Sequence, residues 1–488
     1  IVPDLAERWS VDDSGKEWTF FLRDDARWHD GEPVTVDDVL FTIHVLQNPN
    51  YTGPGAGSWR EVTAETTGAR TVVLTLKTPL GGFLQAATQP LAPAHILSGV
   101  PVEQLSQVSF GRQPIGAGPF AVASLSDDSA TLIPAGMVLP PPEPVASQAP
   151  RPSDSLTTQP PAARPNRPIP YLSSMEFRFY DDPETLAAAY RDMLVDVASG
   201  LSPSMTRDLA AASDSRMLRY PGSTLTTVLL NLRPGHPEFG SAAVRTALLG
   251  AIDRSKIITD AFAFAAGPAP GPIPPASPLF DSKAAVLVPF DQDASKAVLE
   301  KAGWKLETDG WHLPKAKTAL EIDLLSPDQA SNPATFQAAQ DVARGWEALG
   351  LKVDLVPLPP GELVNGRVGA GKFSAAVVDV QVGLDPDLYP LLASSQTVTR
   401  GSNIIGLQDR TLDKLLAAAR GPGTDKERAA AYAALQEQLS TGRYLLPLAF
   451  ADETIVARGT LDGPAVRQIA DPAERFWDVL TWRLAADR

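Results

Sequence analysis

Residues 320–378 alternate between strand and helix patterns, and this alternation constrains the fold more than any other feature of the chain. Leu320–Leu325 and Leu351–Val356 are short apolar segments typical of strands, and Pro333–Leu349 between them carries apolar residues at helical spacing. Phe373–Val378 supplies a further apolar strand segment. Strands joined through a helix of this length pair in parallel, because the connection must cross over the sheet. We therefore predict an α/β fold with a parallel βαβ unit here.

The composition excludes several classes of function. The chain has 488 residues, a formal net charge of −15 and no cysteine. At roughly 150 residues per domain, this length predicts about three structural units. No apolar run reaches the roughly 18 residues of a membrane-spanning helix, and no lysine and arginine cluster suits the phosphates of a nucleic acid. The lack of cysteine removes disulfides, thiolate nucleophiles and cysteine-ligated zinc.

Sequence patterns of catalysis and metal binding are not found. The five histidines form no HExxH motif, and GxSxG and P-loop motifs do not occur. His29 lies in a turn and is predicted to be a surface or capping residue. Thr35 followed by Asp38 predicts a capping box, so Asp37 and Asp38 are interpreted as solvated acids at a helix start. We predict a protein that is not an enzyme and has no metal site or cofactor.

Residues 134–170 differ in composition from the rest of the chain. They contain twelve prolines mixed with serine, threonine, glutamine and alanine. Such a segment offers too little apolar surface to offset its ordering entropy, which predicts an extended and mostly disordered excursion. A ligand for a proline-reading domain is the alternative.

The region after this segment predicts further regular elements. Thr226–Leu232 is a strongly apolar strand. Ser241 is positioned to cap one long helix that carries Val244, Leu248 and Ile257 at helical spacing.

A set of motifs then occurs in the order typical of one known family. The chain resembles the extracellular solute-binding proteins of ABC importers, specifically the family 5 group that includes oligopeptide-, dipeptide- and nickel-binding proteins. The segments that carry the resemblance are Pro3–Trp9 (PDLAERW), Trp18–Arg23 (WTFFLR), Trp28–Val39 (WHDGEPVTVDDV), Pro114–Phe120 (PIGAGPF), Val244–Arg254 (VRTALLGAIDR), Ala297–Trp304 (AVLEKAGW) and Asp385–Asp387 (DPD).

The resemblance implies a fold and a domain organisation. The fold is the α/β two-lobed periplasmic-binding-protein fold, type II and cluster C-like, with an extra small domain on the first lobe. Its implied parts are the extra domain at 1–112, the first lobe at 113–238 with the insertion 134–170, the second lobe at 239–460, and a return to the first lobe at 461–488. Hinge closure around a ligand is the motion that this architecture implies.

The sequence also departs from the family pattern. It begins at Ile1 without the features of a signal peptide, and residues that normally precede the PDLAERW motif are missing, so the chain is expected to be an excerpt or a processed form. The proline-rich insertion replaces a family N-P-x-Y-W segment. Peptide binders carry a Trp and an Asp ahead of the DP loop, and here the Trp is absent and the acid, Asp379, is shifted.

The resemblance, together with strand ends and loops, predicts a ligand site between the lobes. Asp379 is the acid nearest to where a peptide binder holds the free amine, whereas a sugar or an anion would depend more on Arg367. The alternative interpretation is that Asp379 is solvated and Asp385 only caps a helix. The predicted lining residues are Ser199, Gly200, Thr227, Arg367, Asp379, Gln381, Asp385 and Asn403.

The function implied is that of an extracytoplasmic component, periplasmic or anchored at the outer face of the membrane. It captures a peptide or similar small solute and delivers it to the permease subunits of an ABC importer. The alternatives are a ligand-sensing ectodomain on the same fold and an enzyme on a borrowed fold. An upstream lipid-modified cysteine favours the importer, and an upstream transmembrane helix favours the sensor.

Overall fold

The computed structural model describes residues 3–51, 53, 56, 59–135, 171–397 and 401–485. Contacts cluster into two compact units. The first unit comprises Ile1–Asp181, Leu461–Pro464 and Asp478–Arg488, and the second comprises Asp182–Thr460 and Ala465–Trp477. Of the predicted disordered segment, residues 136–170 lie outside the described residues, whereas Pro134 is buried at the end of a strand.

The first unit contains small antiparallel sheets and short helices. The strands β1 (Ala6–Val11), β2 (Glu17–Leu22), β3 (Val62–Gly68) and β4 (Thr71–Leu76) form a sheet in the order β1-β2-β4-β3. Helix α1 (Val36–Gln47) packs on this sheet through Ile43 and Leu46, and Phe83 and Trp59 complete the core. The remaining elements are α2 (Phe83–Ala86), α3 (Ala94–Leu97), and a second antiparallel sheet of β5 (Phe120–Leu125), β6 (Ser129–Pro134) and β7 (Met175–Arg178).

The start of α1 is held by a buried carboxylate. The predicted capping box of Thr35 and Asp38 is confirmed. Asp38, however, is only 2% exposed, so its interpretation as a solvated acid was wrong. Its Oδ2 accepts hydrogen bonds from Trp28 Nε1 at 3.2 Å and from the Thr35 backbone N–H at 2.8 Å, and its Oδ1 accepts one from the Ala94 backbone N–H at 2.8 Å. The burial comes from residues distant in sequence, which the local helix-start pattern does not reveal.

His29 joins two of the sequence motifs. Its backbone N–H donates to the Gly116 carbonyl at 2.8 Å, and the Gly116 N–H donates to His29 Nδ1 at 3.2 Å. Because Nδ1 accepts, Nε2 carries the proton and donates to the Gly118 carbonyl at 3.0 Å. A Cβ at position 116 would lie 3.1 Å from His29 Cε1, so this close approach favours glycine.

The second unit is built around one mixed sheet. The strands of this unit are β8 (Val197–Ser199), β9 (Ser215–Leu230), β10 (Ala266–Pro268), β11 (Lys305–Glu307), β12 (Gly310–His312), β13 (Glu321–Pro327), β14 (Lys352–Leu358), β15 (Ala375–Gln381) and β16 (Leu445–Arg458). The strand order of the sheet is β10-β16-β9-β15-β13-β14, with β8 paired to β16, and a separate hairpin is formed by β11 and β12. The helices are α4 (Pro183–Arg191), α5 (Pro203–Ala210), α6 (Ala242–Gly250), α7 (Arg254–Asp260), α8 (Gln292–Lys301), α9 (Pro333–Ala348), α10 (Tyr389–Leu392), α11 (Arg410–Ala419) and α12 (Asp425–Gly442).

The predicted parallel βαβ unit is confirmed. Strand β13 pairs in parallel with β14, with Ile322 opposite Val353, and in parallel with β15, with Leu324 opposite Ala375. Helix α9 makes the crossover between β13 and β14 and ends before Gly350, whose φ is +97°.

Helices and loops cover both faces of this sheet. Val228 and Leu230 of β9 belong to one core cluster with Trp346 of α9, whereas Leu229 belongs to a second cluster with Leu416 of α11. Alternate residues of a strand point to opposite faces, so a strand covered on both faces is apolar at consecutive positions. This explains the continuous apolar run in β9.

The predicted single helix after Ser241 is wrong. The chain forms α6 and α7, and the break lies at Asp253, whose side chain caps α7 by accepting a hydrogen bond from the Lys256 N–H at 3.0 Å. Ser241 precedes α6 without a side-chain cap hydrogen bond. Apolar spacing continued through the break because both helices face the same core.

The C-terminal segment returns to the first unit through β17 (Leu461–Asp462) and β18 (Arg483–Leu484), which pair with each other. The boundaries predicted at residues 112, 238 and 460 stay predictions.

Among the described residues, no helix combines the length and the apolar character that crossing a bilayer requires.

We expect Asp38→Asn to destabilise the protein by about 1–3 kcal/mol, because an amide nitrogen would face a buried N–H donor. Asp37→Asn, at the neighbouring exposed position, is the matched control and is expected to change stability by less than about 0.5 kcal/mol. Urea unfolding followed by circular dichroism measures both. Equal stability of the two variants would contradict the role assigned to Asp38.

Candidate ligand-binding site

The second unit gathers polar side chains where β15 ends and α9 begins. Asp379 and Gln381 lie on one face of β15, opposite Thr226 and Thr224 of β9 respectively. Asn332 is the N-cap residue of α9. In open α/β sheets, ligands bind beyond the carboxyl ends of parallel strands, and this cluster lies at such an edge.

Asp379 is the centre of this cluster. Its Oδ1 accepts a hydrogen bond from Thr226 Oγ1 at 2.6 Å. Its Oδ2 accepts from Asn332 Nδ2 at 2.8 Å and from Thr335 Oγ1 at 2.6 Å. The carboxylate thus joins β9, β15 and the first turn of α9, where the positive end of the helix dipole favours a negative charge.

The carboxylate of Asp379 retains capacity for a further donor. Asp379 is an exposed residue. A carboxylate has about four lone-pair positions, two on each oxygen. Within the described part of the chain, Oδ1 receives only the hydroxyl of Thr226. An ammonium group approaching from solvent can therefore be accepted without breaking the existing hydrogen bonds.

Gln381 lies two residues beyond Asp379 on the same face of β15 and extends the polar edge. Its Oε1 accepts a hydrogen bond from Thr224 Oγ1 at 2.6 Å, and its Nε2 donates to Ser223 Oγ at 2.9 Å. Nε2 also donates to the carbonyl of Ala470, which belongs to the segment Ala465–Trp477 of the same unit. The side chain of Gln381 therefore links β15 to the neighbouring strand and to this segment.

Asp385 has a cation as its partner. Arg428 Nη2 of α12 lies 2.7 Å from Asp385 Oδ1, and both residues are largely buried. Burial and the neighbouring negative charge of Asp385 raise the pKa of Tyr432, whose hydroxyl donates to the Pro386 carbonyl at 3.1 Å. Asp387 pairs in the same way with Arg420 at 2.9 Å. These pairs fasten the loop after β15 to α11 and α12.

Thr227 and Asn403 are engaged inside the protein. Thr227 is fully buried, and its hydroxyl donates to the Leu446 carbonyl at 3.0 Å. Asn403 is 3% exposed, and its amide nitrogen donates to the carbonyls of Ala393 and Leu407 at 3.0 and 2.9 Å. Both side chains stabilise backbone in this structure.

Among the described residues, the remaining members of the predicted set share no hydrogen bond with Asp379. Ser199 ends β8 and pairs with Ile455 of β16, and Gly200 follows it with a φ of +88°. Arg367 lies in a π-helical turn, where its Nε donates to the Lys372 carbonyl at 3.0 Å. Within the described part of the chain, Asp379 and Gln381 lie on one face of β15. Each bonds to its own neighbours on β9, Asp379 to Thr226 and Gln381 to Thr224 and Ser223.

Sequence reasoning missed the hydroxyl and amide residues that surround Asp379. A usable signal was present, because Asn332 precedes Pro333 in the pattern of an N-cap followed by proline at the first helical position. Thr224 and Thr226 precede the apolar run of β9, where two hydroxyls on the same face could have been noted.

Comparison with known proteins identifies the family. The model for bacterial extracellular solute-binding proteins, family 5 Middle, matches residues 1–402. The oligopeptide-binding protein AppA of Bacillus subtilis is 23% identical over 490 residues, which cover 99% of this chain and 83% of AppA.

Solved structures have the same fold. AppA of Bacillus subtilis in complex with a nonapeptide has a TM-score of 0.73 at 20% identity, with 99% of this chain and 90% of that chain covered. The ABC transporter substrate-binding protein CtaP of Listeria monocytogenes has a TM-score of 0.79 at 21% identity, with coverage of 99% and 91%. NikZ of Campylobacter jejuni in complex with Ni(L-His) has a TM-score of 0.74 at 22% identity, with coverage of 98% and 90%.

The predicted α/β two-lobed binding-protein fold is confirmed by these structures. The family resemblance is confirmed by the match of its model over most of the chain. The protein is therefore an extracytoplasmic solute-binding component of the ABC-importer type, and it belongs to the bacterial extracellular solute-binding proteins, family 5.

Proposed function

We propose that the solute is a peptide or a similar small molecule with a free ammonium group, and that Asp379 accepts this group. The exposed carboxylate of Asp379, with acceptor capacity left on Oδ1, is the observation that carries the proposal. AppA of Bacillus subtilis, whose structure holds a nonapeptide, supports the choice of a peptide.

The surroundings of Asp379 suit recognition of a charged amine. Thr226, Thr335 and Asn332 hold the carboxylate in one orientation, so little side-chain entropy remains to be lost when the ligand binds. Hydrogen bonds between a carboxylate and an ammonium group are charge-assisted and stronger than neutral ones. The site thus offers an oriented acceptor at the exposed edge of the sheet.

Arg367 is the residue that an anionic solute would use instead. Its guanidinium lies 3.9 Å from Asp323 Oδ2, an acid that is half exposed and already offsets part of its charge. Asp379 has no such cationic partner among its described hydrogen bonds. The balance of charge therefore favours a cationic group at Asp379 over an anionic group at Arg367.

The protein is further proposed to bind its solute without chemical conversion. Support comes from the family, whose description is solute binding. The residues of the candidate site also hold one another through neutral hydroxyls and amides, an arrangement that orients groups and does not activate a nucleophile.

Asp379→Asn is expected to weaken binding of peptides with a free amino terminus by about 1.5–3 kcal/mol, the range for a hydrogen bond to a charged group. Calorimetric titration with a tripeptide library, and with the same library acetylated at the amino terminus, measures the effect. The acetylated peptides should bind the variant and the original protein equally, because they carry no ammonium group.

Asp354→Asn is the matched control, since Asp354 is an exposed acid on β14 of the same sheet. Asp354→Asn should leave the affinities for both the free and the acetylated peptides unchanged. An equal loss for free and acetylated peptides would show that Asp379 acts only on the structure of the site, and no loss for either would remove the amine-binding role.

A second prediction concerns the fate of the solute. Peptides that bind the protein should be recovered with unchanged masses after prolonged incubation at 37 °C, because the described residues of the candidate site include no activated nucleophile. Mass spectrometry of the released peptides gives the answer, with the heat-denatured protein as control. Fragments or mass-shifted products that form only with the folded protein would refute pure binding.

A further inference from the structure

A hairpin of the second unit brings together three potential metal ligands. Strands β11 and β12 pair antiparallel, with Glu307 opposite Gly310 and Lys305 opposite His312. Gly310 has a φ of +120°, which the tight turn requires. This turn places Glu307, Asp309 and His312 on one end of the hairpin, outside the network around Asp379.

The ligand atoms of these side chains converge. His312 Nε2 lies 2.8 Å from Asp309 Oδ1 and 3.9 Å from Glu307 Oε2, and the three ligand atoms all lie within 4.8 Å of one another. In a tetrahedral site with metal–ligand bonds near 2.0–2.1 Å, the ligand atoms are about 3.3 Å apart. The observed separations lie on either side of this value, so small side-chain rotations would fit an ion.

The imidazole is held in a fixed orientation. His312 is 7% exposed, so the surrounding residues restrict rotation of its ring. Its Nε2 is the ring nitrogen that faces the two carboxylates. The adjacent Trp311 is fully buried, and its Nε1 donates to the Leu349 carbonyl at 2.8 Å, so β12 is anchored to the core.

The electrostatics of the cluster favour a cation. Two carboxylates, Glu307 and Asp309, lie against the ring of His312, so the cluster carries more negative than positive charge. The two carboxylates are more than half exposed, so they can receive an ion from solvent. Lys352 is the nearby positive charge that acts on Asp309 and opposes this preference.

We propose that Glu307, Asp309 and His312 form a binding site for a divalent transition-metal ion. One imidazole nitrogen and two carboxylate oxygens suit borderline ions such as Zn²⁺, whereas Mg²⁺ and Ca²⁺ prefer oxygen ligands alone. The remaining coordination positions face solvent and are open to water. The site is separate from the proposed solute site and does not depend on the identity of the solute.

Calorimetric titration of the full chain with Zn²⁺, after treatment with a chelator, tests the proposal. The expected result is saturable binding that the double variant Glu307→Gln and Asp309→Asn weakens by about tenfold or more, since even loss of an outer partner costs 10–100-fold. Glu321→Gln, an exposed acid at the start of β13, is the matched control and should bind as the original protein does.

Protons compete with the ion for His312, so affinity should fall as the pH is lowered. Addition of Zn²⁺ should also raise the unfolding temperature of the original protein and not that of the double variant. No saturable binding, or binding that the double variant retains, would overturn the site. The double variant and Glu321→Gln should both bind the tripeptide library as the original protein does, which separates this proposal from the proposal for the solute.

Discussion

The burial of β9 and β15 on both faces is the constraint on which the second unit depends. The two strands lie side by side in the sheet, with a core cluster on each face. Consecutive positions such as Val228, Leu229 and Leu230 must therefore be apolar. Next to this apolar run, polar side chains of the two strands hydrogen-bond to one another, as Asp379 and Thr226 do. The same constraint that builds the core thus concentrates hydrogen-bonding groups at one exposed edge, which is where a solute can reach them.

Local signals in the sequence predicted much of the fold. The capping box at Thr35 and the parallel pairing around α9 follow from patterns within a few dozen residues, and both are present. The prediction of one long helix was wrong at Asp253, because apolar spacing indicates which face is buried and does not indicate whether the helix is continuous. The burial of Asp38 depends on Trp28 and Ala94, and the latter is 56 residues away. Contacts between residues so far apart in sequence do not alter the helical or strand periodicity of the sequence.

The predicted site residues stay predictions, and Thr227 shows what limits their choice from sequence. Successive strand residues point to opposite faces, so a choice wrong by one position selects the other face. In a strand with one solvated face, alternation of polar and apolar residues corrects such an error. In β9 both faces are apolar, and the sequence does not distinguish Thr226, which binds Asp379, from Thr227, which binds the Leu446 carbonyl. Asp379 was chosen because the family resemblance puts it nearest to where a peptide binder holds the free amine, and in the structure both Asp379 and Gln381 lie at the exposed end of β15.

The central claim is that the solute binds at the edge formed by the end of β15 and the start of α9. Hydrogen–deuterium exchange with and without the tripeptide library tests it most directly, because residues 328–332 and 382–388 are the loops that border Asp379, and a bound solute slows exchange of the amides that it covers. The account predicts slower exchange in both loops when peptide is present, with residues 305–312 of the hairpin of β11 and β12 unchanged. Slower exchange confined to other segments, with these two loops unaffected at saturating peptide, would contradict it.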